Sequence, residues 1–371
     1  MIHSRSLTKT AVIAVFFLIL ALPALQMRTH AFSIVPLNEN RKRAAGPGRL
    51  KIRDLPRYLE KSRDWFDDNY GFRDLLIRAK TQLDFSLFHV SDRIYIGTNG
   101  WLFYRSVIDI QEPAVEALTD LDLAKAIGNV KRLRDYLAMR GIKLIIVTNQ
   151  LKAKFYPEYL PESAAKARKF HRFDDFRSLL HAVQGISYVD TTDELMALKQ
   201  RRPIFHKTDF HWNDPAAFEI AGILVNLIAG EEHRGDVVWH YPLKIETKKL
   251  SGGQAMFMPL FHPPEEYALF VVSTWTSPLA YNNKPPPPFE WSSRAAPGGG
   301  NLLPTTVLFG DSFADGMVRS GLADYFHEFY RVRTGAATLP DVLSKLPPGT
   351  HYFIYQSIDL GLTQIVNMPE F

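Results

Sequence analysis

Short apolar runs alternate with helical stretches along most of this chain, and that rhythm admits few folds. A helical pattern from Leu121 to Arg140 stops at Gly141 and gives way to the run "KLIIVT". A helix near Phe170 to Val183 follows, then a strand at "ISYVD", a short helix at "DELMALK" and a helix after Pro215. The rhythm resumes with "TTVLFG", a helix starting near Asp315, strands at "EFYRVRT" and "HYFIYQ" and a helix between them at "PDVLSKL". Apolar runs without polar alternation suit strands covered on both faces, and strands alternating with helices predict a parallel sheet with helices on both sides. The stretch 237–301 breaks the pattern. Strands are expected there at "PLKIET" and "LFVVSTW", with "KPPPPFEWSSRAAPGGGN" as a loop, so this region reads as an irregular, β-rich insertion. No internal repeat is found.

The N-terminus adds a second constraint. Arg5 and Lys9 precede a charge-free apolar run from Ala11 to Leu25, and with its neutral flanks the run approaches the ~20 residues that cross a bilayer. Residues 1–31 therefore read as a signal peptide or a signal anchor, with the positive end left inside and everything after about residue 32 on the periplasmic side. Residues 32–54 are polar, basic and contain Pro and Gly, as a tether does, and 55–371 form the domain. Two helical stretches around Gly71 open that domain, and "RIYIGTNGWLFYRS" reads as a hairpin about Asn99-Gly100.

Composition limits the chemistry. The chain of 371 residues carries 44 Lys and Arg against 39 Asp and Glu, a mild excess spread along its length, so no nucleic-acid partner is expected. Cysteine is absent, which removes thiolate nucleophiles and thiolate metal sites. Catalysis must use oxygen and nitrogen.

Two segments carry such groups. In "TTVLFGDSFADGMV" an apolar strand runs into Gly310-Asp311-Ser312, which places Ser312 at the carboxyl end of a strand, where open α/β sheets hold their ligands. Taken alone, this tripeptide is an ordinary strand-to-helix turn. "HKTDFHWNDP" ends in a helix cap at Asn213 or Asp214 before Pro215, yet it holds two histidines, an aspartate and a tryptophan. Serine becomes nucleophilic when a base takes its proton and a third group fixes that base. Asp209 and His211, two apart, supply both, with Trp212 packing the histidine. A single histidine would read as structural, and it is the combination of Asp-x-His with Gly-Asp-Ser that favours catalysis. The alternative chemistry is a metallohydrolase using His206, Asp209 and His211. These need a further distant ligand and none stands out, so no metal or cofactor is expected.

"KTDFHWND", "GDSFADGM" and "YIGTNGWLFY" resemble motifs of the alginate O-acetyltransferase family, a group of SGNH-hydrolase-like proteins. "ENRKRA", "DDNYGFRDLLI" and "KAKFYPEYLP" resemble that family's landmarks in the same order, so the resemblance spans most of the chain. It implies an SGNH-hydrolase-like three-layer sandwich in permuted order, with the Asp-x-His block ahead of the serine block. It also implies a triad of Ser312, His211 and Asp209. For the oxyanion, the Ser312 N–H is the first candidate, and Gly310, Asn149, Gln150 and Trp212 are assigned to the oxyanion or substrate region. With the last predicted strand near the end of the sequence, the single-domain, membrane-associated members are the expected match. The implied function is O-acetylation of an exported polysaccharide, alginate-like or another exopolysaccharide, beside a membrane-bound O-acyltransferase at the inner membrane. A carbohydrate acetyl-esterase and a non-catalytic glycan-binding or assembly protein of the same fold stay open as alternatives.

Overall fold

The computed structural model describes residues 2–37, 39, 41–165, 171–272, 279–296 and 302–371. The chain divides into two compact units, one of residues 1–91 with 256–263 and one of residues 92–255 with 264–371. Phe170, Ser273 to Trp275 and the Gly-rich end of the expected loop, which entered the sequence expectations, lie outside the described residues.

The first unit is helical. Helix Ile2–Thr29 contains Val12–Thr29, which is long and apolar enough to cross a membrane, and Phe16, Phe17 and Ile19 on it are exposed. Helices Leu55–Asn69 and Arg73–Leu83 follow, broken at Gly71 as expected. A Cβ at Gly71 would stand 2.2 Å from the Pro23 carbonyl oxygen, so only glycine lets the first helix approach this turn. The stretch expected as a tether is held down within this unit. Arg41 forks onto Asp68 at 2.7 and 2.6 Å, and Arg73 forks onto Glu39 at 3.0 and 2.9 Å. Bidentate guanidinium–carboxylate pairs of this kind fix geometry as well as charge.

The second unit carries the sheet. Its strands are β1 (Ile94–Ile96), β2 (Leu102–Tyr104), β3 (Lys143–Asn149), β4 (Ser187–Asp190), β5 (Ile245–Leu250), β6 (Glu266–Val271), β7 (Leu279–Asn282), β8 (Trp291–Ala295), β9 (Thr306–Gly310), β10 (Glu328–Arg333) and β11 (Tyr352–Ile358). β1 and β2 form the expected hairpin, with Asn99 at φ 54° and Gly100 at φ 79°. The seven-stranded sheet runs in the order β4-β3-β11-β9-β10-β8-β7, and its first five strands are parallel. β8 and β7 extend it antiparallel, so the parallel core continues as a mixed sheet. β8 lies inside the stretch read as a loop. Its "WSSRA" has no apolar run to announce it, and pairing with β10 makes it a strand.

Strand side chains alternate between two cores, as the pleat requires. Ile145, Val147, Leu308 and Ile354 pack with Ile220 and Leu224 of helix Asp214–Glu231. Leu144, Ile146, Phe309 and Phe353 pack with Leu133 of helix Asp120–Ala138 and Phe176 of helix His171–His181. The result is the expected three-layer sandwich, and it points the carboxyl ends of β3, β11 and β9 toward one edge.

Candidate active site

The serine turn is built by its neighbours. After β9 ends at Gly310, the Asp311 Oδ1 accepts the Phe313 N–H at 2.9 Å and its Oδ2 accepts the Ile358 N–H at 2.9 Å. Burial pushes the Asp311 carboxyl up, while these hydrogen bonds pull the other way. Gln356 of β11 accepts the Asp311 N–H at 2.9 Å and lies over Gly310, where a Cβ would come within 2.5 Å of its Oε1. Arg331, 1 % exposed, donates to the Gly310 carbonyl at 3.0 Å and the Asp311 carbonyl at 2.6 Å. The turn that presents Ser312 is thus fixed from β9, β10 and β11 together.

The histidine loop is closed at its base by the bridge Phe205 to Trp212, with the His206 N–H on the His211 carbonyl at 3.3 Å and the Asn213 N–H on the Ile204 carbonyl at 3.0 Å. Asn213, not Asp214, is the helix cap, its Oδ1 accepting the Ala216 N–H at 3.1 Å. Asp209 Oδ1 accepts both the His211 main-chain N–H at 3.0 Å and the ring Nδ1–H at 2.7 Å. The other ring nitrogen, Nε2, stands 2.7 Å from Ser312 Oγ. Asp209, His211 and Ser312 therefore form one continuous chain of hydrogen bonds. Phe313 packs 5.1 Å from the imidazole, and Trp212 donates to the Phe313 carbonyl at 3.0 Å, which ties the two segments together.

Asp209 Oδ2 accepts the Gly253 N–H at 2.6 Å. Burial works to raise the Asp209 carboxyl, but its hydrogen bonds to His211 and Gly253 and the charge of His211 hold it well below the usual carboxylate range. It is an anion at neutral pH. The His211 side chain keeps 36 % of its surface exposed against 20 % for Asp209, so the imidazole is the more open of the two.

The remaining assignments divide. Gly310 and Trp212 support the turn as described. Asn149 and Gln150 do not turn their amides to Ser312: Asn149 Nδ2 donates to Thr191 Oγ1 and its Oδ1 accepts from Gln356, while Gln150 Nε2 donates to Asp174. Both side chains are fully buried at the end of β3, where a polar group must find internal partners. Asn149 thus acts on the serine turn through Gln356. Both nitrogens of His211 are engaged, which removes it from the His206, Asp209 and His211 ligand set, and no cluster of three metal-ligating side chains is found among the described residues. Gly253, Gln356 and Arg331 escaped the sequence reading. The pair Gly252-Gly253 was the available signal, since a Cβ at Gly252 would stand 2.6 Å from the Thr208 carbonyl oxygen.

Residues 94–250 match the family model described as an SGNH hydrolase-like domain of the acetyltransferase AlgX, a span that holds Asp209 and His211. The probable alginate O-acetylase AlgJ of Pseudomonas syringae pv. tomato is 25% identical over 251 residues, 67% of this chain and 58% of that protein. The probable alginate O-acetylase AlgJ of Pseudomonas aeruginosa is 27% identical over 198 residues, 53% of this chain and 49% of that protein. The chain spans about half the length of the curated relatives it matches. Among solved structures, PatB1 of Bacillus cereus shares the fold, with a TM-score of 0.53 at 12% identity over 75% of this chain and 100% of that one. The chain thus carries, at residues 94–250, a match to an SGNH hydrolase-like, AlgX-type domain, and the relatives it matches are named probable alginate O-acetylases at about 25% identity.

Proposed function

We propose that the chain transfers acetyl groups to hydroxyls of an exported polysaccharide, alginate-like or another exopolysaccharide, through an acetyl-Ser312 intermediate. The observation that carries this reading is the hydrogen-bonded chain from Asp209 through His211 to Ser312, with 2.7 Å at both ring nitrogens. In the first half-reaction Ser312 Oγ attacks the acetyl carbonyl carbon while its proton passes to His211 Nε2. Asp209 keeps the other nitrogen protonated and stabilises the imidazolium. The oxyanion is received by the Ser312 N–H, for which no acceptor is found among the described residues. Collapse expels the donor's leaving group, which takes the proton from His211. In the second half-reaction a sugar hydroxyl gives its proton to His211 and attacks the ester carbonyl, and collapse returns that proton to Ser312.

Transfer and hydrolysis differ only in whether a sugar hydroxyl or water attacks the ester, so one experiment covers both. An activated small acetyl ester given to the full chain in detergent is expected to acetylate Ser312, with release accelerated by oligosaccharide acceptors. Equal release with and without acceptor makes the protein an esterase. Acetyl found elsewhere by peptide mapping rejects the mechanism.

A membrane-bound O-acyltransferase supplies the acetyl group on this proposal, and the apolar helix at Val12–Thr29 holds the domain at the outer face of the inner membrane. A reporter that works only in the cytoplasm, fused after Phe371, is expected to be silent. An active fusion would reverse the orientation.

A further inference from the structure

A buried lysine organises the loop that carries Asp209 and His211. Lys152 is 2 % exposed, and its Nζ donates to the main-chain carbonyls of His206 at 3.1 Å, Lys207 at 3.1 Å and Asp209 at 2.7 Å, and to Gln254 Oε1 at 2.6 Å. An ammonium has three hydrogens, so four neutral oxygens at these distances saturate it. The aromatic faces of Trp101 and Phe103 stand 5.6 and 5.2 Å from the same nitrogen.

The opposite charge sits on the far side of the same backbone. Glu266 at the start of β6 accepts the Lys207 N–H at 2.8 Å, the Thr208 N–H at 2.7 Å and the Thr208 hydroxyl at 2.7 Å. Two consecutive peptide units are therefore gripped across their width. The unit joining His206 to Lys207 gives its carbonyl to Lys152 and its N–H to Glu266, and so does the unit joining Lys207 to Thr208. Lys152 also takes the Asp209 carbonyl, while Gln254 follows directly on the Gly253 whose N–H holds Asp209 Oδ2. Charge and hydrogen bonding thus converge on the orientation of one carboxylate.

We propose that Lys152 is the positioning residue of the site, its ammonium holding the 206–211 loop against Glu266 so that Asp209 faces His211. This rests on the acyl-transfer reading above, and it assigns Lys152 no contact with the substrate. Burial pushes the Lys152 ammonium down to about 7, with Glu266 and Asp209 opposing that fall. The other titratable neighbour, His206, is itself lowered by burial. As the pH rises through about 7, Lys152 loses its charge and one hydrogen, and activity falls with them. Stability moves the other way. A lysine that binds its proton less tightly when folded makes the folded state more stable as pH rises from about 7 to the ordinary lysine range of ~10.4, so unfolding does not account for the loss of activity.

The test uses the full chain in detergent, a small acetyl ester, and the ring Nδ1–H of His211 followed by nuclear magnetic resonance with labelled histidine, assigned by its loss in His211→Asn. Lys152→Met is expected to lower kcat about 10²-fold with KM held, to remove the alkaline fall, and to weaken the downfield ring signal that reports the Asp209 hydrogen bond. Glu266→Gln, which keeps the shape of the site, is expected to move the alkaline fall to lower pH. A Lys152→Met protein that keeps both the fall and the ring signal overturns the proposal. If that variant does not fold, an unmoved fall in Glu266→Gln overturns it. If the unaltered chain cleaves no ester, the acyl-transfer reading fails on its own. The ring signals of the two variants then decide the role of Lys152.

Discussion

Ser312→Ala is expected to reduce ester cleavage by about 10⁶-fold, to the level left by binding and the oxyanion donor alone. The proposed reaction passes through a bond to Ser312 Oγ, and alanine has no atom to form it. Fold stability is expected to change little. The hydroxyl's one described side-chain hydrogen bond is to His211 Nε2, and removal of one partly exposed hydrogen bond costs about 1 kcal/mol at most. The turn itself is held by Asp311, Gln356 and Arg331, none of which touches the hydroxyl. Intact-mass spectrometry after the ester pulse and a thermal melt check both halves. An active alanine variant removes Ser312 from the chemistry, and a collapse in melting temperature shows that the hydroxyl is structural.

Asp209→Asn is expected to cost about 10⁴-fold in turnover, the size of the effect in a serine-protease triad. The asparagine has no good orientation here. If its amide nitrogen replaces Oδ1, it faces the His211 main-chain N–H and drives the ring proton to Nε2, where the ring then donates to Ser312 and no longer accepts its proton. If the amide nitrogen replaces Oδ2, it meets the Gly253 N–H donor to donor, and the ring loses the negative charge that stabilises its cation. The carboxyl is held below its usual range, so its contribution to folding is complete above the unfolded value of ~3.9 and is lost as pH falls through the lower folded value. Asp209→Asn is therefore expected to flatten this part of the acid unfolding profile. Turnover within tenfold of the unaltered chain would take Asp209 out of the mechanism.

Much of the framework was legible in the chain itself. β3, β9 and β11 are buried on both faces, and their apolar runs announce that without any knowledge of their partners. Asn99-Gly100 specified its hairpin through the positive φ both residues adopt. Asp209 and His211 are two residues apart, so their pairing is a local event, and Gly-Asp-Ser at a strand end fixed where the serine would stand. β8 gave no such sign, because Trp291–Ala295 is a strand by virtue of β10 and β7 on either side of it.

The sequence by itself determined the layer order and singled out Asp209, His211 and Ser312 as the candidate groups, because strand burial, turn conformation and an Asp-x-His pair depend on neighbouring residues. Tertiary structure decided what holds those groups. Lys152 lies 57 positions from Asp209, Glu266 lies 58 from Thr208, and Gln356 lies 45 from Asp311. In a sequence, a lysine or a glutamate reads as solvated charge. Only the fold takes Lys152 out of water and sets Glu266 across the same two peptide units, and desolvation then turns an ordinary side chain into one that must be satisfied by the loop it holds. The same logic redirected Asn149 and Gln150: placed by sequence at the strand ends that surround the serine, they are buried there, and a buried amide goes to whichever partner the packing provides.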